Sequence, residues 1–150
     1  MAVLEQGQMV GYGQPSELLT RPRSAFAATL GGVNWFEGEL GAAVGDGVRQ
    51  VHIGQATLLA PAPAERTGRV AVAIAPGDVE LGPWTGEPLA SNAFRGEVSE
   101  VRADGAMVRV RLSGELPLTA LVTPAAAAEL GVVPGVRILA LFKVAVVRVC

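Results

Sequence analysis

This sequence predicts a mainly β protein: OB-like small β-barrel modules in tandem, preceded by a short hairpin-plus-helices segment. Three observations carry that expectation. The hexapeptide Asn34-Trp35-Phe36-Glu37-Gly38-Glu39 recurs as Asn92-Ala93-Phe94-Arg95-Gly96-Glu97, and both copies read Asn-x-Phe-x-Gly-Glu. Residues 69–74 line up in the same way with residues 137–142, so the chain uses one unit twice. Finally, 19 Gly and 10 Pro in a half-hydrophobic chain of 150 residues describe many short elements, joined by turns, with enough apolar surface for a core.

Residues 1–33 differ from the rest. Ala2-Val3-Leu4 and Met9-Val10 read as short strands around the turn Gln6-Gly7-Gln8. Pro15 suits the first turn of a short helix over residues 16–19, where its missing N–H costs nothing, and Pro22 stops it. Ser24 caps a second helix over residues 25–30, ended by Gly31-Gly32. Such a segment has too little apolar area for its own core and reads as the end of a larger domain.

The first β module is expected over residues 34–88. Residues 36–44 form a strand, Gly45-Asp46-Gly47 a turn, and residues 48–53 a returning strand. Residues 56–59 are a short strand, 61–68 a Pro/Ala linker, and 70–74 an apolar strand closed by the turn Pro76-Gly77-Asp78. Residues 82–90 lack strand propensity and read as a loop. The second module, residues 89–150, starts with a strand over 94–102, turns at Asp104-Gly105, and returns over 107–112. Alternation there puts Arg109 and Arg111 on one face and Val108, Val110 and Leu112 on the other. Residues 116–122 come back as a strand. Thr123-Pro124 then reads as a helix N-cap and first position, with the helix over 125–130 and Gly131 as its stop. After Pro134-Gly135, residues 137–149 read as a long apolar strand or a pair of strands.

Charge and motif content exclude several functions. The net charge of −2 excludes a globally basic nucleic-acid binder. It is unevenly placed: residues 1–90 hold 5 Arg against 9 acids, and residues 91–150 hold 6 Arg and 1 Lys against 5 acids. The single cysteine, Cys150, cannot form an intrachain disulfide; it reads as a frayed terminal thiol of a chain in a reducing compartment. No apolar run approaches the roughly 20 residues of a membrane span, and no secretory leader is recognisable, so a soluble cytoplasmic protein is expected. No G-x-x-x-x-G-K-[ST] loop occurs, and His52, read as a half-exposed strand residue, is the only histidine. Neither catalysis nor a metal site is expected.

Lys143 is the most informative single residue. It is the only lysine, set inside the apolar run 138–147, and strand alternation places it on a face with Leu139, Leu141, Ala145 and Val147. An ammonium there is costly unless it reaches water or a negative partner. It is either an edge residue with its amine in solvent or an anion ligand, helped by backbone N–H groups and by the hydroxyls of Ser91, Thr119 and Thr123. Asn34 and Asn92 read as strand starters that bond their own backbone, Phe36 and Phe94 as core, and Gly38 and Gly96 as bulges or close backbone approaches.

Taken in order, these pieces resemble a known family. Residues 1–33, with Gly13-Gln14-Pro15-Ser16-Glu17-Leu18-Leu19 and Arg21-Pro22, look like the end of the ATPase domain of an importer-type ABC transporter. Residues 34–81, with Asn34-x-Phe36-x-Gly38 and Ala73-Ile74-Ala75-Pro76-Gly77-Asp78, look like the TOBE region that follows it, although position 75 departs from the usual Arg. Residues 89–149 resemble the Mop-like TOBE module of molybdate importers and molbindins, through Asn92-x-Phe94-Arg95-Gly96, Val122-Thr123, Glu129-Leu130-Gly131, Pro134-Gly135 and Ala140-Leu141-Phe142-Lys143.

The resemblance implies a regulatory, oxyanion-binding C-terminal region of an importer ATPase, with molybdate or tungstate as ligand and no other cofactor. Ser91, Asn92 and Lys143 carry over as ligand candidates, beside Thr123 from the hydroxyl argument. The Ser-Ala-Arg-Asn run of oxyanion binders stands here as Leu89-Ala90-Ser91-Asn92, and Val144-Ala145-Val146 replaces the hydroxyl residues that usually follow the lysine. The implied partners are a second copy in a homodimer, an ABC ATPase domain and a transmembrane permease, which would hold the chain at the inner face of the membrane. The alternative is a structural, dimerising TOBE module of a sugar, polyamine or other solute importer. A free-standing molbindin-like storage protein is a third, which residues 1–33 argue against.

Overall fold

A computed structural model of the chain describes residues 32–85 and 92–150 in full, and the main chain alone of residues 2–5 and 8–12. Strands β1 (Ala2–Glu5) and β2 (Gln8–Tyr12) pair antiparallel as the expected N-terminal hairpin. The two short helices expected over residues 16–19 and 25–30 lie outside the described residues.

The repeat is a structural one. In the first copy, β3 (Asn34–Gly45), β4 (Val48–Ile53), β5 (Ala56–Pro61) and β6 (Arg69–Ile74) lead into a 3-10 turn, Pro76–Asp78, and β7 (Glu80–Pro83). In the second, β8 (Asn92–Asp104), β9 (Met107–Gly114) and β10 (Thr119–Val122) are followed by helix α1 (Pro124–Leu130) and β11 (Arg137–Phe142). A 3-10 turn, Val144–Val146, and β12 (Arg148–Val149) close it. Even the register repeats. Asn34 faces Ile74 and Glu39 faces Arg69 in one copy; Asn92 faces Phe142 and Glu97 faces Arg137 in the other. Each long strand pairs with one neighbour along its first half and another along its second, with a register shift in the second ladder, which bends the sheet toward a barrel. The hairpin turns use Gly47 (φ 73°) and Gly105 (φ 61°), a backbone conformation that glycine adopts without a Cβ clash.

The copies exchange their last strands. One sheet runs β5-β4-β3-β6-β12 and the other β10-β9-β8-β11-β7. Thus β7 of the first repeat completes the second repeat's sheet on β11, and β12 of the second completes the first repeat's sheet on β6. The first 3-10 turn packs against β10 and the second against β5. One continuous core results, joining Val51, Leu58, Val72 and Ile74 to Val98, Val110, Leu118 and Ile138, with Phe94 stacked on Phe142 at 5.9 Å.

This exchange explains most departures from the sequence expectation. Residues 80–83, half of them assigned to a loop, are β7: Gly82 and Pro83 have little strand propensity, but the open edge of β11 supplies a ladder. The run over 137–149 is the pair of strands rather than the one long strand. The first stops at Phe142 and the chain turns so that β12 can cross to the other sheet, and the strand face imagined for Lys143 does not exist. The strand expected from residue 116 starts only at Thr119, although Leu116 and Leu118 are buried; Pro117 between them has no N–H to give a ladder. Cys150 is not frayed: its N–H donates to Ala71 O at 2.8 Å and its carbonyl accepts from Ala71 N–H at 3.3 Å. His52 is exposed on β4, its Nδ1 3.0 Å from Thr57 Oγ1.

Candidate functional site

The sequence-predicted residues fall into three places. Asn92 opens β8 and is 2% exposed. Its side chain does not make the bond to its own backbone expected of a strand starter. Its Oδ1 accepts from Leu59 N–H at 2.8 Å and its Nδ2 donates to Leu59 O at 2.9 Å, so its carboxamide pairs with the free edge of β5 as a strand residue would. Asn34 does the same in reverse. Its Oδ1 accepts from Thr119 N–H at 2.8 Å, and its Nδ2 donates to Thr119 O at 2.9 Å and to Ile74 O at 3.1 Å. Both side chains are thereby committed to joining the repeats.

Thr123 caps α1: its Oγ1 accepts from Ala126 N–H at 3.1 Å, and Gly131 (φ 62°) ends the helix with its N–H on Ala127 and Ala128 carbonyls. The expected cap and stop are both present. Ser91 lies outside the described residues.

Lys143 sits at the junction of the repeats. β11 carries the chain to Phe142, opposite Asn92, and Lys143 follows as the residue before the second 3-10 turn. It is exposed; its carbonyl accepts from Val146 N–H at 3.2 Å, and its amine makes no hydrogen bond or ion pair with the described residues. A cleft of about 270 Å³ opens beside it, lined by Leu141, Phe142, Lys143 and Val146 from one repeat and by Gly77, Asp78 and Glu80 from the other. Neither Asn92 nor Thr123 lines this cleft. One ammonium and two carboxylates therefore face the same space.

A cluster of Trp84, Arg95 and Arg137 on the outer face of the second sheet was not foreseen. Arg95 and Arg137 each hold their guanidinium carbon within 6 Å of the Trp84 ring centre, at 5.7 and 5.6 Å. A signal existed in the repeat alignment, which sets Arg95 against Glu37. Cys150 has a thiol pushed up by burial, an effect that Arg66 and Arg148 partly offset. Among the described residues no group of histidine, cysteine and carboxylate side chains could hold a metal ion.

Comparison with known proteins agrees with this fold. The TOBE domain model matches residues 89–149. The chain is 34% identical over 141 residues to the molybdenum import ATP-binding protein ModC of Mycobacterium tuberculosis, covering 91% of this chain and 37% of that protein. It is 29% identical over 151 residues to the molybdate/tungstate import ATP-binding protein WtpC of Pyrococcus horikoshii, covering 99% of this chain and 41% of that protein. The chain thus spans about two-fifths of the length of these curated relatives. A solved structure of the cytoplasmic molybdate-binding protein ModG, in a form with molybdate bound, matches with a TM-score of 0.65 at 25% identity, covering 77% of this chain and 94% of that one. Residues 89–149 are therefore similar to the TOBE domain, in a chain similar over nearly all its length to molybdate and tungstate import ATP-binding proteins.

Proposed function

We propose that this chain is the regulatory, oxyanion-binding end of the ATP-binding subunit of an ABC-type importer, with molybdate or tungstate as its anion. One observation carries the reading: the fold is that of ModG, solved with molybdate bound, on a chain whose relatives are named for import of the same anions. The match covers 77% of this chain, more than either repeat alone. In this reading the subunit pairs with a second copy and works beneath a membrane permease. No helix among the described residues is long and apolar enough to cross a bilayer.

Lys143 is the residue this reading puts on the anion. Its amine has no competing partner among the described residues and stands beside a cleft that both repeats line. Ser91 adds a hydroxyl from the residue before Asn92. Asn92 and Thr123 serve the site as scaffold: the Asn92 carboxamide is buried against Leu59, Thr123 caps α1 through its oxygen, and neither lines the cleft. A second reading is favoured by Asp78 and Glu80, which share the cleft and repel a dianion. In that case the tandem repeat is a structural, dimerising module in an importer of a sugar, polyamine or other solute.

Isothermal titration calorimetry with molybdate, tungstate and sulfate separates the two. The expected result is saturable heat with molybdate and tungstate, weakened about tenfold or more in Lys143→Ala, as for loss of a charged hydrogen bond. Absence of heat from all three anions, or a Lys143→Ala variant that binds as tightly as the parent, overturns the oxyanion reading.

A further inference from the structure

The two repeats share a register but treat one pair of positions differently. Glu39 and Arg69 face each other across β3 and β6, and their side chains form an ion pair at 3.7 Å. Glu97 and Arg137 face each other in the same way across β8 and β11. Yet no ion pair joins them. Arg137 lies instead over Trp84, with its guanidinium carbon 5.6 Å from the ring centre. The place of Glu37 is taken by Arg95, which lies 5.7 Å from the same ring centre and donates from Nε to Trp84 O at 3.4 Å. The indole therefore draws Arg137 away from the carboxylate that its counterpart uses, and a second guanidinium lies by the same ring and lines the same cleft.

Neither arginine has a carboxylate partner among the described residues. A guanidinium held over a ring keeps N–H donors at its edge, those on Nη for Arg95 since its Nε is on Trp84 O, and such donors match the oxygens of an oxyanion. Two like charges gathered at one ring repel, and an anion between them relieves that repulsion. The space for it is present. Trp84, Arg95, Arg137, Glu97, Ser113 and Glu115 border an open cleft of about 560 Å³, which Gly96 and Gly114 also line.

The other side chains narrow the class of anion. Glu97 and Glu115 are acceptors only when ionised, so they repel an anion without a proton and accept a hydrogen bond from one that keeps a P–OH. Ser113 can do either; its Oγ lies 3.4 Å from Glu97 O, a weak bond that a ligand can replace. Hydrogen phosphate satisfies this set, whereas sulfate and molybdate at neutral pH have no proton to offer.

We propose that Arg95, Arg137 and Trp84 form an inorganic phosphate site on the outer face of the second sheet, selective for hydrogen phosphate over sulfate and molybdate through Glu97. It is separate from the Lys143 cleft, with no lining residue in common, and stands whether or not that cleft binds an oxyanion.

The chain has two tryptophans, so Trp35→Phe leaves Trp84 as the sole indole reporter. Fluorescence titration of that variant is expected to show a saturable change in Trp84 emission with millimolar phosphate and little with sulfate or molybdate. Arg95→Gln or Arg137→Gln is expected to weaken the response about tenfold, consistent with losing a charged hydrogen bond. Both arginines are exposed, and an unchanged unfolding midpoint separates lost binding from lost fold. Glu97→Gln, which gains a donor, is expected to let sulfate compete. No response to phosphate, or one that both arginine variants retain, overturns the site; equal responses to phosphate and sulfate in the Trp35→Phe chain overturn its selectivity.

Discussion

Asn92 pairs with the main chain of Leu59 through both ends of its carboxamide, at 2.8 and 2.9 Å, and so closes the edge of a strand in the other repeat. Asn34 closes the edge of β10 at Thr119 in the same way. An edge strand exposes unpaired N–H and C=O groups, and here each repeat covers the other's. Asn92→Ala removes both partners and leaves buried main-chain groups unsatisfied, at about 2–4 kcal/mol for the two bonds. Asn92→Asp retains the acceptor but sets a carboxylate oxygen against Leu59 O, and should cost at least as much above the aspartate pKa. Urea denaturation of Asn34→Ala, Asn92→Ala and Asn92→Asp checks this. Losses under about 0.5 kcal/mol, the range of ordinary surface changes, contradict the edge-closing role.

Arg49 is a buried cation without a carboxylate partner among the described residues. It is 8% exposed, and its guanidinium donates to the carbonyls of Gly41, Pro63, Ala64 and Arg66 at 2.7–3.2 Å. Five such bonds fasten the segment between β5 and β6 to the β3–β4 hairpin. A lysine carries the charge but not the fork, and cannot reach both sides at once. Arg49→Lys should lose about 1–3 kcal/mol and Arg49→Met more, because the freed carbonyls lose a charged donor. The urea midpoint measures both. An Arg49→Lys variant as stable as the parent would show that charge alone suffices.

The repeat, the hairpins and the α1 caps were legible because each rests on local chemistry: Asn-x-Phe-x-Gly-Glu twice, Asp-Gly at turns, Thr-Pro before a helix and Gly after it. The strand exchange was not. Residues 80–83 have poor strand propensity and take their conformation from β11, a partner more than fifty residues away in sequence. The same long-range event stops β11 at Phe142 and moves Lys143 from an apolar strand face to an exposed position beside a turn. In the site, Lys143 could be singled out by its uniqueness. Asp78 and Glu80 beside it could not, since they reach that cleft only through the exchange. For the same reason Trp84 seemed to lie in a loop far from Arg137.

Gly38 and Gly96 occupy equivalent positions where neighbouring backbone comes close. A Cβ on Gly38 would lie 2.4 Å from His52 O, and one on Gly96 2.7 Å from Ser113 O. Replacing a strand glycine by alanine ordinarily helps by reducing chain entropy, but a clash with main chain reverses the sign. Gly38→Ala and Gly96→Ala should each lose about 1–3 kcal/mol in thermal or urea unfolding, the range for overpacking. A gain in stability at either site contradicts the close approach.

Cys150 tests the pinning of β12. Burial raises its thiol pKa, with Arg66 and Arg148 opposing. A thiol raised in the folded state is protonated where an unfolded one has begun to ionise, so its contribution to stability is full below the unfolded pKa and lost as pH rises toward the folded one. Alkylation follows the thiolate. The rate of carboxymethylation of Cys150 against pH should therefore have its midpoint above that of the urea-unfolded chain. Equal midpoints would mean the β12–β6 pairing leaves the terminus open to solvent.

The charge pattern around Lys143 gives a test of sign as well as size. Asp78 and Glu80 belong to the first repeat and face Lys143 of the second across the cleft. If an oxyanion binds there, each carboxylate opposes it, and neutralising them should strengthen binding. Asp78→Asn and Glu80→Gln are exposed substitutions that keep shape, so the fold should be unaffected. Each should improve molybdate affinity by roughly two- to fivefold, the scale of about 0.4–1 kcal/mol for exposed charge pairs, with the gain shrinking at higher ionic strength. Calorimetry at low and high salt reads both effects. If the substitutions instead weaken binding, the carboxylates hold the lysine in place or accept from a protonated ligand, and the site is not one for a bare dianion.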